Sequence, residues 1–318
     1  MVDVTAVVLT YNRRDLVQRC LRALLGQSRP VDRIIVVDNA STDDTPAVLA
    51  GFVSSVLTVH RMPSNKGAAG GFHEAMRLGH ESGSDFVWVM DDDVIAAPDA
   101  LAELLNAFSL LDEQGIEAPF AVSCAHAPDG LVTNVPDIDR RRNALSYEKW
   151  PQLLEHGLVP VGRSTFVSAM FRRETLERHG LPIAAMFIWG EDTEYTLRVT
   201  REAPGYLVGR SHVEHVRAMA GLLDIRTEKD PTRIGWHRLH IRNRIYVTRR
   251  YEGRRSALRY VRRMGRLALR FLREGETHKA RMVAEGIFLG LTFNPVVPGV
   301  ADIADQPATT GRQRALQM

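Results

Sequence analysis

Phe86-Val87-Trp88-Val89-Met90-Asp91-Asp92-Asp93 is the stretch on which the reading of the fold turns. Five consecutive apolar residues read as a strand buried on both faces. Three carboxylates follow at once. Like charges crowded at a strand end need an electrostatic reason, and a hard divalent cation bound through oxygen supplies one. Residues two apart on an extended chain point the same way. Asp91 and Asp93 are therefore expected to share Mn²⁺ or Mg²⁺, with Asp92 turned elsewhere. The competing reading is a polar turn that leads to a helix cap at Pro98-Asp99.

Outward from this strand, the pattern alternates. Residues 4–9 form an apolar run, and residues 15–25 carry apolar side chains at helical spacing. Residues 34–37 form a second strand that ends at Asp38. Residues 41–44 read as a helix start, with Pro46 early in that helix. Residues 56–59 are a weaker strand, and Asn65-Lys66-Gly67 opens a helix to about Leu78. A further helix spans residues 98–111. This is an α/β chain, with a mostly parallel sheet flanked by helices. Ligands of such sheets sit beyond the carboxyl ends of the strands. Thr10-Tyr11-Asn12, Asp38-Asn39 and the triple aspartate stand at three of those ends and are expected to face one crevice.

Residues 121–164 are less regular. Residues 165–171 and 206–208 read as strands and residues 193–201 as a short helix. From Trp236 to about Gly290 the pattern is helical, with breaks at Gly253 and Gly275. The expected organisation is a catalytic domain over residues 1–235, a basic helical region over 236–301 and a frayed tail over 302–318. The 318 residues are 45% hydrophobic and 25% charged, ordinary for a globular chain and unlike a disordered or collagenous one. Cys20 and Cys124 lie in apolar runs without metal-type spacing, which suits a reducing cytoplasm. No secretory signal and no bilayer-long apolar run is visible. The net charge is only +3, yet arginines crowd between Arg238 and Arg281. Such a block points to a polyanionic partner: lipid headgroups, phosphate or nucleic acid.

Three further clusters carry chemistry. Glu191-Asp192, after Trp189-Gly190, is expected just before a helix, where the dipole favours ionised carboxylate. An ionised Asp in a cleft serves as a general base; a pair of capping acids is the alternative. His212 and His215, three apart on a strand, point to opposite faces, so one of them can ligate a metal while the other does not. Asn65-Lys66-Gly67-Ala68-Ala69-Gly70-Gly71 is neither a Walker loop nor a dinucleotide fingerprint. Its small residues suit either a phosphate at a helix N-terminus or close helix-to-sheet packing.

Together these residues resemble the inverting glycosyltransferases of family 2, which have a GT-A fold. Residues 7–13, from Val7 to Arg13, look like the first nucleotide-binding strand, and residues 36–43 like the second, with Asp38 on the base or ribose side. A closer resemblance is to actinobacterial galactofuranosyltransferases of galactan assembly. It is carried by residues 65–72, the triple aspartate, the Trp189 segment, His215 and His240-Ile241-Arg242-Asn243-Arg244. The resemblance implies that Asp91, Asp93 and His215 hold the metal and Asp192 is the base. It further implies that Thr10, Tyr11, Asn12, Arg13, Asp38, Asn39, Asn65, Gly67, Gly70, Gly71, Asp91, Asp92, Trp189, Glu191 and His240 contact the nucleotide sugar or acceptor. His237 and Arg242 are secondary candidates for the same contacts.

The polymerising members carry an extra N-terminal β domain, whereas here the first nucleotide-binding strand starts almost at Met1. The Gln-x-x-Arg-Trp signature of processive synthases is absent. The expectation is therefore an initiating enzyme: UDP-galactofuranose as donor, a rhamnosyl-N-acetylglucosaminyl polyprenyl diphosphate as acceptor. It would sit peripherally on the cytoplasmic face of the plasma membrane, with residues 255–273 either a basic amphipathic contact or a helix packed on the catalytic domain with a solvated basic face. A rhamnosyltransferase using dTDP-rhamnose shares the same motifs. Nucleic acid is disfavoured because aromatics are not interleaved with the arginines. A dehydrogenase is disfavoured by the missing fingerprint after the first strand.

Overall fold

The computed structural model describes residues 2–216 and 223–300. Ten strands form one sheet: β1 (Val4–Thr10), β2 (Arg33–Asp38), β3 (Leu57–Arg61), β4 (Phe86–Asp91), β5 (Val94–Ala96), β6 (Phe120–His126), β7 (Asp137–Ile138), β8 (Leu158–Arg163), β9 (Ala169–Arg172) and β10 (Gly205–His215). Around it lie helices α1 (Arg14–Leu25), α2 (Thr45–Ala50), α3 (Gly67–Glu81), α4 (Ala100–Glu113), α5 (Arg173–His179) and α6 (Glu191–Val199). The chain continues into α7 (Pro231–Val247), α8 (Arg254–Arg273) and α9 (Thr277–Thr292).

The strand order is β3-β2-β1-β4-β9-β6-β10-β8-β7, with β5 paired to β10. The expected parallel run is the half formed by β3, β2, β1 and β4. Beyond β4 the sheet is mixed rather than mostly parallel. β9 runs against both β4 and β6, β10 is parallel to β6, and β8 and β7 close the far edge antiparallel. Val4 to Val8 and Phe86 to Met90 are wholly buried because helices cover both faces. One face packs on α1 and α4 through Leu21, Leu24, Leu104 and Phe108. The other packs on α3 and α6 through Phe72, Met76, Tyr195 and Val199.

A buried hydroxyl relay ties the mixed half to the parallel half. Trp88 Nε1 donates to Ser168 Oγ at 2.9 Å, Ser168 meets Ser123 at 2.6 Å, and Ser123 meets Ser211 at 2.7 Å. The strand expected over residues 165–171 shrinks to β9, because Ser168 takes φ 54° and turns the chain. β6 and β8 emerge from the stretch read as irregular. The breaks at Gly253 and Gly275 fall between helices as expected, and both glycines have positive φ. The boundary placed at 235/236 lies inside α7, which begins at Pro231 under an Asp230 cap. The tail at residues 302–318 lies outside the described residues.

Candidate active site

Register brings the polar strand ends together. Thr10 pairs with Asp38 across β1 and β2, and Leu9 pairs with Asp91 across β1 and β4. These parallel strands therefore end on one side of the sheet. A cavity of about 380 Å³ opens there, and Asp91, Asp92, Asp93, Glu191, Asp192 and His215 all line it.

The chain turns after Asp91 so that β5 can pair antiparallel with the end of β10, setting His215 opposite Val94. This places His215 Nε2 3.2 Å from Asp93 Oδ1. His215 Nδ1 faces Asn134 Oδ1 at 2.8 Å. With Nδ1 as the donor there, a neutral ring turns its Nε2 lone pair toward that carboxylate oxygen, whereas a protonated ring donates to it. Asp93 Oδ1 is buried and has no hydrogen-bond partner among the described residues. In the neutral ring the two lone pairs face one another and a cation between them would satisfy both, and an outer partner on the second ring nitrogen is the usual companion of a ligating histidine. The donor set of oxygens and one imidazole suits Mn²⁺ or Mg²⁺. His212, on the opposite face of β10, is exposed and points away, as its spacing foretold.

Asp92 does not idle. Thr10 Oγ1 donates to its Oδ2 at 2.7 Å, and Arg13 Nη1 lies 3.5 Å from Oδ1. Arg13 also donates to Asp93 Oδ2 at 2.5 Å. Burial pushes the Asp92 carboxyl up to about 7, against the pull of Arg13 and Thr10. Burial, and then the charges of Asp93 and Asp92, push Asp91 well above the carboxylate range. Burial acts on Asp93 in the same direction, but His215 and Arg13 outweigh it and the group sits below its ordinary value.

Glu191 and Asp192 occupy the first turn of α6 rather than preceding the helix. Glu191 Oε2 is buried without a hydrogen-bond partner among the described residues. Burial and the neighbouring Asp192 charge raise Glu191 to about 8. Burial also raises Asp192, partly offset by Thr193, whose N–H donates to Asp192 Oδ1 at 2.5 Å. The loop before α6 is strained: Phe187, Trp189 and Gly190 have φ of 64°, 60° and 120°. Asn243 of α7, fully buried, holds it by donating from Nδ2 to the carbonyls of Met186, Ile188 and Trp189, each at 3.0 Å. Arg242 is corrected in role: its Nη2 donates to the Ala185 and Met186 carbonyls, so it braces the same loop.

Tyr11, Asn39, Asn65, Gly67 and Trp189 also line the cleft. Asn39 Nδ2 donates to Asn65 Oδ1 and the Gly67 carbonyl, both at 3.1 Å, tying the end of β2 to the glycine-rich turn. Gly67 has φ 69°, and a Cβ there would stand 2.1 Å from the Phe187 carbonyl oxygen. Gly70 and Gly71 lie outside the cleft. Their missing side chains admit Lys66 Cβ and the Leu9 methyls, so they serve packing rather than ligand approach. Asn12 and Asp38 stand behind the rim. Asn12 Oδ1 accepts from Thr42 N at 2.7 Å, and Asp38 Oδ1 accepts from Ser41 N at 2.8 Å. His240 and His237 line a neighbouring cavity instead.

The sequence reading missed Asn134, Arg233 and Trp236, and it quoted Asn243 only within the His240 to Arg244 segment, without a role of its own. Arg233 and Trp236 begin α7, whose start at Asp230-Pro231 was the available signal. Asn134 carries none, and the role of Asn243 could not be read from its segment, because both act on distant partners.

Comparison with known proteins shows what this arrangement is similar to. Residues 5–124 match the sequence profile of glycosyl transferase family 2. Over that segment the chain is similar to the family 2 glycosyltransferases. The family 2 match runs from β1 into β6 and so contains the triple aspartate. The galactofuranosyltransferase GlfT1 of Mycobacterium tuberculosis is 35% identical over 212 residues, 63% of this chain and 65% of the relative. GlfT1 of Mycolicibacterium smegmatis is 29% identical over 216 residues, 62% of this chain and 65% of the relative. The match thus spans just under two thirds of each curated relative. The fold is shared with GalNAc-T7, crystallised with UDP, GalNAc and Mn²⁺: TM-score 0.56, 14% identity, covering 78% of this chain and 48% of that one. The segment that matches family 2 therefore lies in a GT-A architecture, with the helices α7 to α9 appended.

Proposed function

We propose that this chain is an inverting, divalent-cation-dependent galactofuranosyltransferase. Its donor would be UDP-galactofuranose, and its acceptor a rhamnosyl-N-acetylglucosamine on a polyprenyl diphosphate at the cytoplasmic membrane face. The observation that carries this reading is the meeting of Asp91, Asp93, His215 and Asp192 around one cleft. The similarity to GlfT1 points to the sugar.

Asp91, Asp93 and His215 would hold Mn²⁺ or Mg²⁺, which supplies positive charge opposite the departing diphosphate. Thr10, Tyr11, Asn39, Asn65 and the Gly67 turn would seat the nucleotide, while Asn12 and Asp38 fix those loops from behind. Arg13 steadies Asp92 and Asp93 in their ionised forms. Asp192 takes the proton from the acceptor hydroxyl as that oxygen attacks the anomeric carbon from the side opposite UDP. Its raised pKa makes it a stronger base than a solvated aspartate. Glu191, protonated near neutrality, leaves the negative charge of the pair on Asp192.

The deciding experiment offers the protein Mn²⁺, a synthetic rhamnosyl-N-acetylglucosaminyl lipid and either UDP-galactofuranose or dTDP-rhamnose, with products weighed by mass spectrometry. The expected gain is one galactofuranose mass or more from the UDP donor. Consumption of dTDP-rhamnose alone overturns the donor assignment. Asp192→Asn should lower transfer by at least about 10²-fold, as for other positioned bases, with UDP binding in calorimetry nearly unchanged. Undiminished transfer by that variant removes Asp192 from the mechanism.

A further inference from the structure

Beside the donor cleft lies a second, larger cavity of about 1230 Å³, and Asn134 and Thr165 line both. Its walls come from α7 and α8. On α8, Tyr260, Arg263, Met264 and Leu267 recur at helical spacing and so share one face, with Arg266 beside them. Across the cavity stand His237, His240 and Arg244 of α7.

The charge is one-sided. Asp224 is the sole acidic lining residue among the described ones, and Arg226 already pairs with it at 2.5 Å. Neither Arg263 nor Arg266 has an acidic partner among the described residues, where Arg263 lies over the Tyr260 ring at 5.1 Å. Two buried polar atoms stand without hydrogen bonds there: His240 Nδ1 and His237 Nε2. Native interiors rarely leave such atoms unpaired; water or a ligand oxygen can complete them. The rest of the wall is apolar, through Ile225, Ile241, Met264 and Leu267. An anionic head and an apolar tail are thus called for together.

Resting on the glycosyltransferase reading, we propose that this cavity seats the lipid end of the acceptor. Its diphosphate would lie between Arg263, Arg266, Arg244 and the two histidines, and its first isoprene units along Ile225, Met264 and Leu267. The shared rim at Asn134 and Thr165 then lets the attached sugar reach Asp192. Trp189 joins the two compartments: it lines the donor cleft while its ring stands 5.1 Å from His237 and 6.1 Å from His240.

The test is a titration of the full chain with geranyl diphosphate, geraniol and inorganic pyrophosphate, read by calorimetry, with UDP and Mn²⁺ as a parallel arm. Geranyl diphosphate should bind at least about tenfold more tightly than either fragment probe, since charge and apolar burial both contribute. Arg263→Gln/Arg266→Gln, at exposed positions, should weaken geranyl diphosphate about tenfold or more and leave UDP binding alone. Equal affinity of the double variant, or equal binding of pyrophosphate and geranyl diphosphate, overturns the assignment. So does silence toward geranyl diphosphate in a protein that binds UDP and Mn²⁺. Geranyl diphosphate binding that depends on Arg263 and Arg266 in a protein deaf to UDP upholds the cavity and sinks the donor-cleft reading instead.

Discussion

Glu191 sits beside Asp192 in a buried turn, and the cost of two adjacent charges there falls on Glu191. Burial, then the Asp192 charge, raise it to about 8. The folded chain therefore keeps a proton that the unfolded chain releases near 4.5. The stability attached to this group is complete below about 4.5 and is lost as pH rises through about 8. Melting temperature should therefore decline from pH 5 to pH 9 in the metal-free protein, and Glu191→Gln should flatten that decline. An equal slope in both proteins would assign the decline to other groups. The same contrast explains what single residues disclose in sequence. Asp91 and Asp93 stood out because charge next to a buried run is costly and so announces a purpose, whereas local sequence left Asp192 between a base and a capping acid. Gly70 and Gly71 did not stand out, since a missing side chain admits a phosphate or a Leu9 methyl equally well. Asn134 gave no signal and Asn243 gave no hint of its role, because an amide has no task until the fold brings its partners within reach.

At the scale of elements, the loop before α6 depends on a helix some fifty residues further along. Asn243 binds three carbonyls of that loop. Asn243→Ala leaves them without that donor and should cost about 1–3 kcal/mol of stability. It should also free Trp189 and Gly190 from their positive φ, so transfer should fall more than UDP binding does. The check is a thermal melt together with amide hydrogen exchange over residues 186–192. Unchanged protection there would show that the α6 first turn holds itself. This dependence was invisible in the sequence, whereas most helices and the parallel strands were plain from periodicity and caps. β6 was missed for a local reason: Phe120-Ala121-Val122-Ser123-Cys124-Ala125-His126 has few strong strand formers. Ser123 earns its place only through Ser168 and Ser211.

The whole molecule has a sheet with a cleft at one end and, beyond α6, a basic three-helix appendage packed around Ile241, Ile245, Phe271 and Val283. Among the described residues no helix is long and apolar enough to cross a membrane. α8 nevertheless has a second face, away from the cavity it lines. Leu258, Leu269 and Leu272 are 50%, 56% and 55% exposed, at spacings that align them on the helix surface among arginines. Apolar side chains framed by arginine on an exposed helix fit the interface of an anionic bilayer, with each fully buried leucine contributing about 1.5–3 kcal/mol. A lipid-borne acceptor would then meet the cavity from the surface that α8 touches. In flotation, the protein should rise with vesicles of anionic phospholipid, less with neutral ones, and less again at high salt. Leu269→Glu/Leu272→Glu should cut the floated fraction severalfold, because it removes apolar insertion and adds charge of the repelled sign. Neither substitution touches the cavity-lining face, so binding of UDP and of geranyl diphosphate should persist. Flotation unchanged by the double variant would leave α8 as a wall of the cavity with a merely solvated back, and the acceptor would have to be drawn from the bilayer by another surface.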